Sequence, residues 1–156
     1  MLPSDADIAR EIGKNIDPDA IDQAISTVKD AIASELAGIC ETFINDMKTD
    51  GEFDPGAEPA GKRALSAVAL SYLARNDGNA SRAAAAYKAA NNMTEQSAAL
   101  QILTSQFPDA SETEDALQDF KSKFADNPLV MDKWLALQAR IPGDSALAKV
   151  QALLKD

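Results

Sequence analysis

Apolar residues recur three or four positions apart from Ile21 to Met47, through Ile25, Val28, Ile32, Leu36, Ile39 and Phe43. Strand alternation has a period of two and cannot produce that series, whereas an amphipathic α-helix does. Asp22, Lys29, Asp30, Ser34, Glu41, Asn45 and Asp46 fall on the other side, the solvated face such a helix needs. Asp17-Pro18 marks the start, with aspartate as N-cap and proline at the first helical position. The pattern predicts one unusually long helix reaching about Lys48. A short helix from about Asp5 to Ile12, stopped at Gly13, precedes it.

Beyond Asp50 the chain reads as a loop to Pro59, punctuated by Gly51, Pro55 and Gly56. A helix from about Ala60 to Asn76 follows, with Leu65, Val68, Ala69, Tyr72 and Leu73 on one face and Gly78 closing it. Residues 80–90 form an alanine-dense helix around Tyr87. Asn91-Asn92-Met93-Thr94 reads as a tight connection, the asparagines tolerating a left-handed conformation and Thr94 capping the next helix. That helix carries Ala98, Ala99, Ile102, Leu103 and Phe107 and stops at Pro108. Ser111 and Glu114 have capping-box spacing ahead of Leu117, Phe120 and Phe124. Asn127-Pro128 repeats the earlier start signal for a helix with Met131, Trp134, Leu135 and Ile141, broken by Pro142-Gly143. Asp144 or Ser145 caps a last helix bearing Leu147, Val150 and Leu154. Short connections make neighbouring helices antiparallel. No fixed repeat period stands out. The expected fold is all-α: one helical domain over 1–156, an irregular armadillo/HEAT-like stack of antiparallel hairpins forming an α-α superhelix. Residues 1–49 supply the short and long helices and 60–156 the stacked short ones.

Composition changes this picture mainly by exclusion. Histidine is absent, which removes the Ser-His-Asp triad, the Cys-His pair and any imidazole zinc ligand or general base. Cys40 is the single cysteine, so no internal disulfide forms and a reducing compartment is expected. The net charge of −10 argues against nucleic acid and anionic membranes as partners. Residues 1–7 have neither a basic nor an apolar leader segment. No uncharged apolar run approaches the ~18 residues of a membrane span. A cytoplasmic location is expected. Only 5% of residues are aromatic while alanine is abundant, so the core should be thin and layered.

Each chemical candidate meets a plainer explanation. Cys40, beside Ile39, reads as a packed thiol because no base stands ready to ionise it. The runs Asp109–Asp115 and Asp50–Asp54 space oxygen donors as a calcium loop does. Both lack glycine at the sixth place and glutamate at the twelfth, so capping and a solvated loop explain them better. Acidic residues are plentiful, but no pair stands out as a general acid and base. No glycine-rich phosphate loop occurs. Trp134, Tyr72 and Tyr87 read as core. Lys62-Arg63, the one compact basic pair, sits against the helix macrodipole and is a candidate for docking. No residue is assigned a catalytic, cofactor-binding or metal-binding role.

Ala90-Asn91-Asn92-Met93-Thr94, the run from Pro128 to Trp134 (Pro-Leu-Val-Met-Asp-Lys-Trp) and Leu137-Gln138-Ala139 together resemble the C-terminal helical domain of bacterial aminopeptidase N. This family comprises zinc-dependent alanyl aminopeptidases of the gluzincin class. Leu2-Pro3-Ser4, Ile16-Asp17-Pro18 and Gly61-Lys62-Arg63-Ala64-Leu65 also fit the pattern, so the resemblance covers nearly the whole chain. It implies a catalytic domain upstream, holding zinc on a His-Glu-x-x-His motif and a further glutamate, with a Gly-x-Met-Glu-Asn segment for the substrate's amino terminus. None of these motifs occurs here. The resemblance further implies a helical stack that closes over the catalytic cleft and limits entry to small peptides. The expected reading is an excised, non-catalytic segment with Met1 as an added start, partnered by the remainder of its own polypeptide and inactive alone. The alternative is a free-standing helical-repeat adaptor that binds a protein partner. A last helix with Leu147, Val150 and Leu154 uncovered is expected if the stack stops part-way.

Overall fold

The computed structural model describes residues 2–48, 53–143 and 146–154. Among the described residues the regular structure is entirely helical: α1 (Asp5–Ile12), α2 (Pro18–Asp46), α3 (Ala57–Asp77), α4 (Ser81–Ala89), α5 (Met93–Gln106), α6 (Ser111–Phe124), α7 (Pro128–Ala139) and α8 (Ala146–Leu153). Each helix packs on its neighbour in sequence. Among the described residues the α3–α5, α4–α6 and α5–α7 pairs also lie in close contact, Arg82 on α4 reaches Glu41 on α2 and Lys149 on α8 reaches the Pro108 carbonyl. Packing mainly between near neighbours is the mark of a stack rather than of a bundle around one centre.

Local chemistry accounts for most boundaries. The Asp17 carboxylate accepts from the Ala20 N–H at 3.1 Å with Pro18 opening α2. Asn127 does the same for Val130 at 3.4 Å with Pro128 opening α7. Gly13 (φ 76°) and Gly78 (φ 66°) end α1 and α3 in conformations that a Cβ disfavours.

Four expectations need correction. First, α3 begins at Ala57, not Ala60, because Pro59 sits inside the first turn, where its missing N–H would have no partner anyway. Second, Asn92 rather than Thr94 caps α5, accepting from the Glu95 N–H at 3.0 Å, and its φ of −141° is extended, not left-handed. Third, Ser111 is already helical behind an Ala110 N-cap, and its hydroxyl bonds Glu112. A capping box does exist, but at Ser4 and Asp7, where aspartate takes the usual glutamate role. Fourth, α7 ends at Ala139, so the buried Ile141 follows the helix instead of belonging to it. The proposed caps Asp144 and Ser145 lie outside the described residues.

The main core joins α3 to α7 around Phe120, Leu100 and Leu103, all without exposed surface. Ala74, Ala83 and Ala99 are as deeply enclosed, which lets helix backbones approach closely. A smaller cluster of Cys40, Ala69 and Leu73, bordered by Ala37 and Ile44, holds α2 against α3. Charged groups reinforce that layer: Arg75 reaches Asp30 and Ser26, while Arg82 joins Glu41 at 2.9 Å and Asp77 at 2.6 Å. The long apolar stripe of α2 is therefore not the packing face throughout. Val28 (44% exposed), Leu36 (40%) and Ile39 (51%) face outward, whereas Ala33 and Cys40 are buried. On α3, Leu65 and Val68 are likewise exposed while Ala69 and Leu73 are buried.

Candidate functional site

Cys40 lies buried in the α2–α3 cluster. Burial, then the nearby Glu41 charge, raises its thiol above the usual value, the opposite of what a nucleophile needs. Thr113, in the first calcium-like run, donates to the Phe107 carbonyl at 2.7 Å and is enclosed, while Asp109 pairs with Lys149 at 3.4 Å. Part of the second run lies outside the described residues; within it, Asp54 accepts from the Gly56 N–H at 2.7 Å and shapes the approach to α3. Among the described residues no three His, Cys, Asp or Glu side chains converge as metal ligands would. The described side chains bring together no donor set that fits zinc.

The aromatic residues are structural. Trp134 is buried and donates its indole N–H to the Leu117 carbonyl at 2.9 Å, tying α7 to α6. Tyr87 is buried on α4 and donates to Asp119 on α6 at 2.8 Å. Lys123 bonds the same carboxylate at 2.7 Å, and this contact, against some desolvation, holds Asp119 below the ordinary carboxylate range. Desolvation first, then the hydrogen bond to Asp119 and its charge, pushes the Tyr87 phenol well above its usual value. Tyr72 is half-buried against the α2–α3 cluster.

The Lys62-Arg63 pair is split by the helix. Lys62 points outward and pairs with Glu58 one turn earlier at 2.9 Å. Arg63 turns inward and is 6% exposed. It lines an open cavity of about 400 Å³ between the C-terminal end of α2, the first half of α3, α4 and the start of α5. Ile44, Leu70 and several alanines, among them Ala67 and Ala98, make most of the wall. Lys48 and Glu95 supply its other charges. The Arg63 Nε is enclosed without a hydrogen-bond partner, and the guanidinium carbon sits 4.5 Å from the centre of the Phe53 ring. Among the described residues Arg63 makes neither a hydrogen bond nor an ion pair. The sequence held one signal for this burial: Arg63, Ala67, Leu70 and Ala74 share the spacing of a single helix face.

Comparison with known proteins gives one family and a consistent set of relatives. A family described as a domain of unknown function (DUF3458_C) with ARM repeats matches residues 1–156. Aminopeptidase N of Caulobacter vibrioides is 32% identical over 154 residues, which is 97% of this chain and 18% of that protein. Aminopeptidase N of Haemophilus influenzae is 32% identical over 153 residues, 98% of this chain and 17% of that protein. Aminopeptidase N of Escherichia coli is 34% identical over 158 residues, 99% of this chain and 18% of that protein. The chain thus spans less than a fifth of the length of these relatives.

Proposed function

The chain belongs to the DUF3458_C family of ARM-repeat domains, and on that premise we propose that it is a non-catalytic helical segment of a cytoplasmic zinc aminopeptidase. In this reading the parent enzyme removes N-terminal amino acids from peptides. The segment packs against the remainder of its own polypeptide, covers the catalytic cleft and restricts entry to small peptides. One observation carries the proposal: near-complete coverage of this chain by three aminopeptidase N sequences, of which it matches only 17 to 18%. Two further features support it. The chain has no histidine to build a gluzincin zinc site, and the outward stripe of Val28, Leu36 and Ile39 is an apolar surface suited to packing. No described helix is long and apolar enough to cross a membrane.

The test is direct. The 156-residue chain, incubated with an alanyl chromogenic substrate with and without added zinc, is expected to release no product. The reading frame that encodes it is expected to carry His-Glu-x-x-His upstream. Turnover by a clean preparation, or a frame without that motif, would overturn the proposal.

A further inference from the structure

A buried guanidinium with no anion is costly, because the charge loses water and gains nothing in return. Among the described residues Arg63 has no anionic partner and its Nε is enclosed without an acceptor, and the space beside it is an open cavity rather than packed protein. Phe53 covers the guanidinium, a contact that tolerates a cation but satisfies none of its N–H donors. A volume of about 400 Å³ lies in the range of small-molecule sites. The wall is largely aliphatic, so a ligand there needs an apolar body as well as a negative end. Lys48 and Arg63 against Glu95 leave the lining with one net positive charge. That balance suits a single negative charge, and Glu95 on the same lining disfavours a dianion.

We propose that the cavity between α2, α3, α4 and α5 binds a small aliphatic monocarboxylate, with Arg63 donating to the carboxylate and the Ile44, Leu70 and alanine wall holding the chain. A planar guanidinium matches a carboxylate in two-point geometry, which gives the site its preference for this group. The site is independent of the proposed peptidase role and stands or falls apart from it.

The probe is sodium hexanoate, titrated into the isotopically labelled chain while backbone amide resonances are followed. Hexanoate gives saturable shifts confined to the cavity lining, while hexanamide and inorganic phosphate bind at least about tenfold more weakly. Arg63→Gln weakens hexanoate about tenfold or more. Ala64→Leu, at an exposed position on the lining, narrows the cavity without altering its charge and weakens binding comparably. Circular dichroism checks that both variants remain helical, and Ala64→Leu decides the matter alone if Arg63→Gln does not fold. Absence of saturable shifts at the lining overturns the proposal. So does equal binding of hexanamide or phosphate, or wild-type affinity in the folded variants.

Discussion

The two sides of the stack are built differently. Around α4, α5 and α6, large side chains meet: Phe120, Leu100 and Leu103 are wholly enclosed, and Trp134 closes the next layer with a hydrogen bond to the Leu117 carbonyl. Along α2, the cluster shared with α3 is centred on the small Cys40, with Ala37, Phe43 and Ile44 packed around it and arginines bridging the rim, while Val28, Leu36 and Ile39 stay outside. The first region spends its large apolar residues on its own core; the second leaves Val28, Leu36 and Ile39 on the surface, although Ile21 and Ile25 near the start of α2 are buried. Size and hydrophobicity alone therefore do not reveal which face packs. In a close-packed helix pair the alanines mark the contact, because they allow the backbones to approach.

That contrast can be broken most sharply at Phe120. Phe120→Ala should cost about 3–5 kcal/mol of unfolding free energy, since it opens a cavity that fixed neighbours cannot fill. Chemical denaturation measures it, and a loss under about 1 kcal/mol would mean that the core around α6 is loosely packed. Next in size is Trp134→Phe, which keeps most of the ring but leaves the Leu117 carbonyl without its indole donor. About 1–2 kcal/mol is expected from the same measurement.

Tyr87 sharpens the comparison through pH. Its folded phenol titrates above the unfolded one, so the proton is held more tightly in the native state. The resulting stability is complete below about pH 10, the unfolded value, and is lost as pH rises toward the folded value. Thermal unfolding of the wild type should fall more steeply above about pH 10 than that of Tyr87→Phe, and parallel curves would show that the phenol is not held by Asp119 and burial. The smallest effect belongs to the open side. Ile39→Ala should change stability by no more than about 0.5 kcal/mol in denaturant unfolding, against the several expected for a buried isoleucine.

Most of the fold was legible because helix ends are written in local chemistry. Asp17-Pro18, Asn127-Pro128, Gly13 and Gly78 mark their boundaries without help from tertiary contacts. Ser111 misled because its capping-box spacing is real, but the chain before it turns at Ala110 and makes Thr113 the residue that bonds back to Phe107. The period of α2 was legible and its orientation was not. An apolar count favours Val28, Leu36 and Ile39 over Ala33 and Ala37, although Ala33 is buried and Ala37 packs on the cluster shared with α3. Trp134 and Tyr87 fall in the core as their spacing implies. Arg63 read as half of a basic pair although it shares a helix face with Ala67, Leu70 and Ala74, because a charge on an apolar face reads as surface until the packing around it is seen.

The most direct test of the account places Ile39→Asp in two settings: this chain alone, and the full polypeptide encoded by its reading frame. If the outward stripe of α2 packs against the rest of an aminopeptidase, the substitution leaves thermal unfolding of the isolated chain within about 0.5 kcal/mol of wild type. In the full polypeptide it lowers the unfolding temperature and weakens the restriction on peptide size. Equal destabilisation in both settings would show that the stripe belongs to the chain's own core, and no effect in either would show that nothing packs there.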